Sequence, residues 1–121
     1  MRGVALVQDL LFDEMSGHDS QVETIVVDPI AETVTVSFLS FPTYQSRDRI
    51  PIKILFTKVT SVSTITDIKE LAKNRSAGNV VQWHIPKKAG TSFISLTGGY
   101  LAIASRNVPT VIEGPGISVC L

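Results

Sequence analysis

The sequence has a single cysteine, Cys120, in 121 residues. A lone thiol closes no internal disulfide, which removes the class of small secreted domains held by bridges. Together with only two histidines it also cannot supply the four Cys/His ligands of a structural zinc site within one chain. Long hydrophobic runs are missing too. After Arg2 the run Val4-Ala5-Leu6-Val7 stops at Gln8-Asp9, short of the ~7–15 residues of a secretory h-region. No run approaches the ~20 residues of a membrane-spanning helix. Cys120 stands second from the end, which does not fit a prenylation box. These absences set the expectation of a cytoplasmic protein with no membrane partner. Missing as well are the phosphate-loop, dinucleotide-binding, nucleophile-elbow and zinc-protease signatures, so no cofactor is implied and enzymatic activity is disfavoured.

What the sequence does have is core-forming material. Hydrophobic residues make up 44% of the chain and charged residues 18%, too apolar for general disorder. The length fits a single domain over 1–121. Net charge is zero but segregated. Residues 1–46 hold Arg2 against Asp9, Asp13, Glu14, Asp19, Glu23, Asp28 and Glu32. Residues 47–106 hold ten basic residues against Asp48, Asp67 and Glu70. Two such halves complement each other across facing strands, or present a basic face to an acidic partner. The basic residues are dispersed and no aromatic-basic platform interleaves them, so nucleic acid is not an expected partner.

Strand patterns dominate. Gln21–Asp28 is rich in β-branched residues. Thr33–Leu39 alternates Val34, Val36 and Phe38 with Thr33, Thr35 and Ser37. Asp28-Pro29-Ile30-Ala31-Glu32 turns between them, giving a hairpin. Ser40–Arg49 reads as a loop and Ile50–Val59 as a further strand. A helix is expected at Asp67–Asn74, capped by Thr66 or Asp67, with Ile65, Ile68, Leu71 and Ala72 as its apolar stripe. Asn79–Pro86, Thr91–Thr97 and Tyr100–Ser105 then form a meander. In its first strand Val81, Trp83 and Ile85 share one face, and Val80, Gln82 and His84 the other. Leu101 and Ile103 face inward, opposite Tyr100, Ala102 and Ala104. The tail 107–121 carries Pro109 and Pro115 among apolar residues and is expected to pack on its own domain or on a second copy. The fold class that follows is mostly β (α+β): a small antiparallel β-sandwich or a curled, barrel-like sheet with one short helix near 67–74.

Chemistry-bearing residues are few. His18-Asp19 is the most reactive-looking pair, able to act as a base or to hold a metal with Asp13 or Glu14. The plainer reading is that Asp19 or Ser20 satisfies backbone donors ahead of the first strand. His84 is expected on a strand's outer face, with Trp83 as a core anchor. Tyr44, Arg47 and Arg49 on the 40–49 loop are the best recognition candidates, an aromatic with two arginines suited to a carboxylate, a phosphate or an acidic surface. Cys120 has no identifiable base near it, and no metal site is assigned. Asn74-Arg75-Ser76 matches a glycosylation sequon by pattern only.

The stretches His18-Asp19-Ser20-Gln21-Val22, Gly78-Asn79-Val80-Val81-Gln82-Trp83 and Gly90-Thr91-Ser92-Phe93-Ile94-Ser95-Leu96 followed by Gly99 resemble a loose group of small bacterial β proteins. Some of these belong to polymorphic-toxin immunity families such as immunity protein 50. The resemblance spans about residues 18–104 and implies a small bacterial cytoplasmic protein that neutralises a toxin by binding it. It assigns no functional residues. The expectation carried forward is a non-enzymatic protein-interaction module, immunity-like or self-associating. Two alternatives stand beside it: a small-ligand binder or minor enzyme near His18 and His84, and a structural component of a phage or secretion apparatus.

Overall fold

Val34, Val36 and Phe38 alternate with Thr35 and Ser37, and only an extended chain puts those two sets on opposite faces. In the computed structural model, which describes residues 19–41, 47–74 and 78–113, this segment is strand β2 (Thr33–Ser40), and Val34, Val36 and Phe38 are buried. It pairs antiparallel with β1 (Gln21–Asp28) and with β3 (Ile50–Phe56). Asp28 tightens the hairpin turn, its carboxylate accepting from the Ile30 and Ala31 amides at 3.0 Å each. The tail contributes β8 (Thr110–Glu113), which pairs with β3. This part of the tail therefore packs on its own domain. Pro109 lies just ahead of the strand and takes no place in its ladder.

The expected strand over 50–59 ends earlier. The chain turns at Thr57-Lys58 and enters a second, unexpected strand, β4 (Val59–Thr66). After a short helix, α1 (Ile68–Lys73), come β5 (Val80–His84), β6 (Gly90–Leu96) and β7 (Gly99–Ser105). The two four-stranded sheets run β1-β2-β3-β8 and β4-β7-β6-β5, a small antiparallel β-sandwich with no closed barrel. They are parts of one bent ribbon. The alignment that sets Leu55 against Thr110 also sets Val62 against Ile103 and Thr66 against Gly99. The ladder slips by one residue at Val59–Ser105 and regains the same alignment by Ser61–Ala104, so the two sheets share one register on either side of the bend. At the bend the Asn107 side-chain NH2 donates to the Thr57 hydroxyl at 2.8 Å. The Lys58 carbonyl accepts from the Arg106 amide, and the Glu32 carbonyl from the Val59 amide. Lys58 takes a left-handed φ of 49° to make the turn.

The core lies between the sheets. Phe38, Ile52, Ile54 and Phe56 of the first meet Trp83, Ile94, Leu101 and Ile103 of the second. The Phe38 and Trp83 rings approach to 4.9 Å at a 60° tilt, a favourable aromatic geometry across the sandwich. Burying each such side chain contributes roughly 1.5–3 kcal/mol against the entropy of ordering the chain.

Two expectations are corrected. Val80 is buried and Val81 is 45% exposed, the reverse of the expected faces. A register shift between Val80 and Gln82 inserts one residue and inverts the alternation, which returns to phase at Trp83. The helix runs only over Ile68–Lys73, capped by Asp67, whose carboxylate accepts from the Glu70 amide at 3.1 Å. Its expected apolar stripe is not buried. Ile65 belongs to β4, Ile68 is 71% exposed, and only Leu71 packs on the core. So short a helix stands on its attachments rather than on an amphipathic face.

Candidate functional site

Most of the sequence-predicted residues that the structure describes gather at the end of the sandwich that carries α1. Buried Asn79 organises this end. Its side-chain oxygen accepts from the Val22 amide at 2.8 Å and its NH2 donates to the Leu71 carbonyl at 3.0 Å. Its backbone amide donates to the Ser20 carbonyl. One side chain thus joins β1, α1 and β5, and every polar group involved is satisfied. Gly78 makes the approach possible, because a Cβ there would lie 2.5 Å from the Asp19 carbonyl oxygen and φ is +106°. The Ser20 carbonyl accepts from the Asn79 and Val80 amides, while its hydroxyl is engaged elsewhere. That hydroxyl lies 2.7 Å from the Ser40 hydroxyl in a buried pair linking the start of β1 to the end of β2.

Asp19 adopts a left-handed φ of 63°, and its amide donates to the Val80 carbonyl at 3.0 Å. Its carbonyl accepts from Arg49 Nε at 3.0 Å, while the Arg49 guanidinium stacks 4.6 Å above the Phe41 ring. Arg49, one residue ahead of β3, therefore fastens the start of that strand onto the β1–β5 junction, with its charge over the Phe41 ring. Arg47 and Asp48 are exposed at the same end. Tyr44 and His18 lie outside the described residues.

His84 is elsewhere. It sits four residues beyond Val80 along β5, roughly 13 Å at the usual strand rise, with its side chain exposed. Asp19 and His84 do not converge. The register instead places His84 in a row with Phe93, Ala102 and Ser63 across the outer face of the second sheet. The next row is Gln82, Ser95, Tyr100 and Ile65, and Thr91, Ala104 and Ser61 extend it toward the bend. These three rows hold no Asp, Glu, Lys or Arg. Phe93 is 51% exposed, Tyr100 41% and Ile65 68%. Directly opposite residues in antiparallel strands share a face and diagonal neighbours are within reach of aromatic rings. Phe93 and Tyr100 therefore border one shallow surface floored by Ala102 and Ser95.

The outer face of the first sheet differs. There a shallow, open depression of about 310 Å³ is lined by Glu23, Thr24, Ser37, Phe38, Pro51, Ile52 and Lys53, so both signs of charge border it. Sequence reasoning placed His84 and Tyr100 outward but did not see that their strands join β4 into one uncharged surface. Cross-strand neighbours are set by register, which residue types alone do not reveal.

No family model, no curated protein and no solved structure matches the chain. Among the described residues there is no group of three His, Cys, Asp or Glu placed to hold a metal ion, and no helix long and apolar enough to cross a membrane.

Proposed function

We propose that the chain is a non-enzymatic protein-interaction module, and that the outer face of the second sheet is where it meets its partner. The observation that carries this reading is the three-row surface without a charged side chain, in a chain where 18% of residues are charged, bearing Phe93, Tyr100 and Ile65 in the open. Solvated sheet faces normally alternate to polar and charged side chains, and contiguous exposed apolar area marks interaction surfaces. Exposed aromatics with few charges also match the composition of interface centres. The partner that fits is a protein surface of low charge with an apolar centre.

The test is capture of partners from host lysate on the immobilised full chain, run beside a Phe93→Ser/Tyr100→Ser variant with the same unfolding midpoint. A stoichiometric partner that the variant binds about tenfold more weakly or not at all supports the reading, as expected for anchor residues. A partner retained unchanged by the variant overturns the assignment of the face, and the absence of any stoichiometric partner overturns the module itself. A toxin-neutralising module would instead meet an acidic toxin surface through the basic side chains around Arg47 and Arg49, away from this face. Arg49 is already engaged with Phe41 and Asp19, so Arg47→Ala is the clean probe. Unchanged affinity in that variant rejects the toxin-neutralising reading.

A further inference from the structure

A sheet edge is a row of backbone donors and acceptors, and proteins blunt it with charge, proline, shortness or bulges. Three of the four outermost strands show such devices. β1 carries Glu23 and Asp28 and a bulge between Val22 and Thr24. β5 has five residues, a bulge, and Pro86 two residues beyond its end. β8 has four residues and follows Pro109. β4 shows none of these along its free length. Its eight residues, Val-Thr-Ser-Val-Ser-Thr-Ile-Thr, include no charge, no proline and no glycine, and its only register shift is at the bend, between Val59 and Ser61. β7 takes one edge of it. Among the described residues no other backbone bonds to 60–66.

We infer that the free edge of β4 pairs antiparallel with β4 of a second copy, about a two-fold axis, joining two four-stranded sheets into one of eight. The occupant follows from the strand's own chemistry. A charged edge repels its copy, whereas β4 brings no like charges together. With Ser63 at the axis, outward Ser61 faces outward Ile65, and Val62 faces Thr64 on the other side, and no pair brings charges together. Ile65, 68% exposed in the single chain, then gains a neighbour. The pairing is isologous and closes at two copies. It does not rest on the partner reading, although it would set two uncharged faces side by side.

The experiment is sedimentation velocity on the full chain from micromolar to millimolar concentration. The expected result is a concentration-dependent rise from 13.1 kDa to twice that mass. Ser61→Lys/Ser63→Lys, at exposed positions, should keep the unfolding midpoint and weaken association about tenfold or more. Mixing it with Ser61→Glu/Ser63→Glu should restore the dimer as a heterodimer. A wild-type chain that stays at 13.1 kDa overturns the inference. So does a lysine variant that dimerises as wild type does, a charge-paired mixture that stays monomeric, or growth into open polymers. Because Ser61 and Ser63 also stand in the uncharged rows, the two readings are separated by the Phe93→Ser/Tyr100→Ser variant, which leaves every residue of β4 in place and should keep self-association while losing the partner.

Discussion

β1 and β4 are each eight residues long, and each is the outermost strand of its sheet. They are treated in opposite ways. β1 bears acids and a bulge, and its start is tied to β5 through the Asp19–Val80 and Ser20–Val80 backbone bonds. β4 has an uncharged edge facing away from β7 and shares its outward side chains with the aromatic surface. Chain length and rank in the sheet therefore do not decide whether an edge is protected. Side-chain choice does, and on β4 that choice favours pairing. The lesson extends to the two outer faces: charge borders the depression on the first, while the second is left without it.

The comparison rests first on what the sheets share. Phe38→Ala removes the ring that meets Trp83 and should cost about 3–5 kcal/mol in urea unfolding. Phe93→Ala on the outer face should cost less than about 1 kcal/mol. Similar costs at the two positions would mean that the outer face is covered in the intact molecule. Next is the anchor that holds β1 in place. Asn79→Ala leaves the Val22 amide and the Leu71 carbonyl without their partner and should cost about 2–4 kcal/mol. Amide exchange should then rise in the first residues of β1 and stay unchanged in β4.

The paired edge of β4 should be as intolerant as its free edge is permissive. A Cβ on Gly99 would overlap the Ile65 carbonyl oxygen, so Gly99→Ala should cost roughly 2–3 kcal/mol by forcing the strands apart. Smallest in stability, and most informative, is moving the protection of β1 onto β4. Ser63→Glu should change stability by less than about 0.5 kcal/mol while abolishing self-association. Thermal unfolding at low protein concentration and sedimentation at high concentration separate the two effects.

The β1–β2 hairpin, the β5–β6–β7 meander and the buried faces of β2 and β7 were legible because their apolar residues alternate against a core. β4 was not. Val59, Val62 and Ile65 recur every third residue between serines and threonines, and Ile65 lent itself to a helical stripe running on through Ile68 and Leu71. β4 has no fully buried side chain and only Val59, Val62 and Thr66 are partly buried, so no apolar face alternates with a polar one and the usual signal is absent. β8 was hidden by Pro109 and by the gap between it and β3 in sequence. The inversion at Val80 and Val81 comes from an inserted residue, which leaves no mark on composition. Of the candidate residues, Asp19 and Arg49 proved to be joined, but by a backbone carbonyl rather than by charge. The uncharged outer face emerged only once the register had aligned three strands that are each unremarkable in sequence.

The bent ribbon has a consequence for the order in which the molecule is made. Thr66 meets Gly99 across a much shorter stretch of chain than Lys53 meets Glu113, and shorter loops close at lower entropic cost. The second sheet is therefore expected to zip from the Thr66–Gly99 end toward the bend, and β3 acquires β8 only after the ladder has turned the corner. On the ribosome the β1–β2–β3 sheet emerges early, yet the far side of β3 stays unsatisfied until residues 110–113 have been synthesised. During that interval the nascent chain exposes two uncapped strands, β3 and β4, and it is then that a chaperone or a neighbouring nascent copy has its best access.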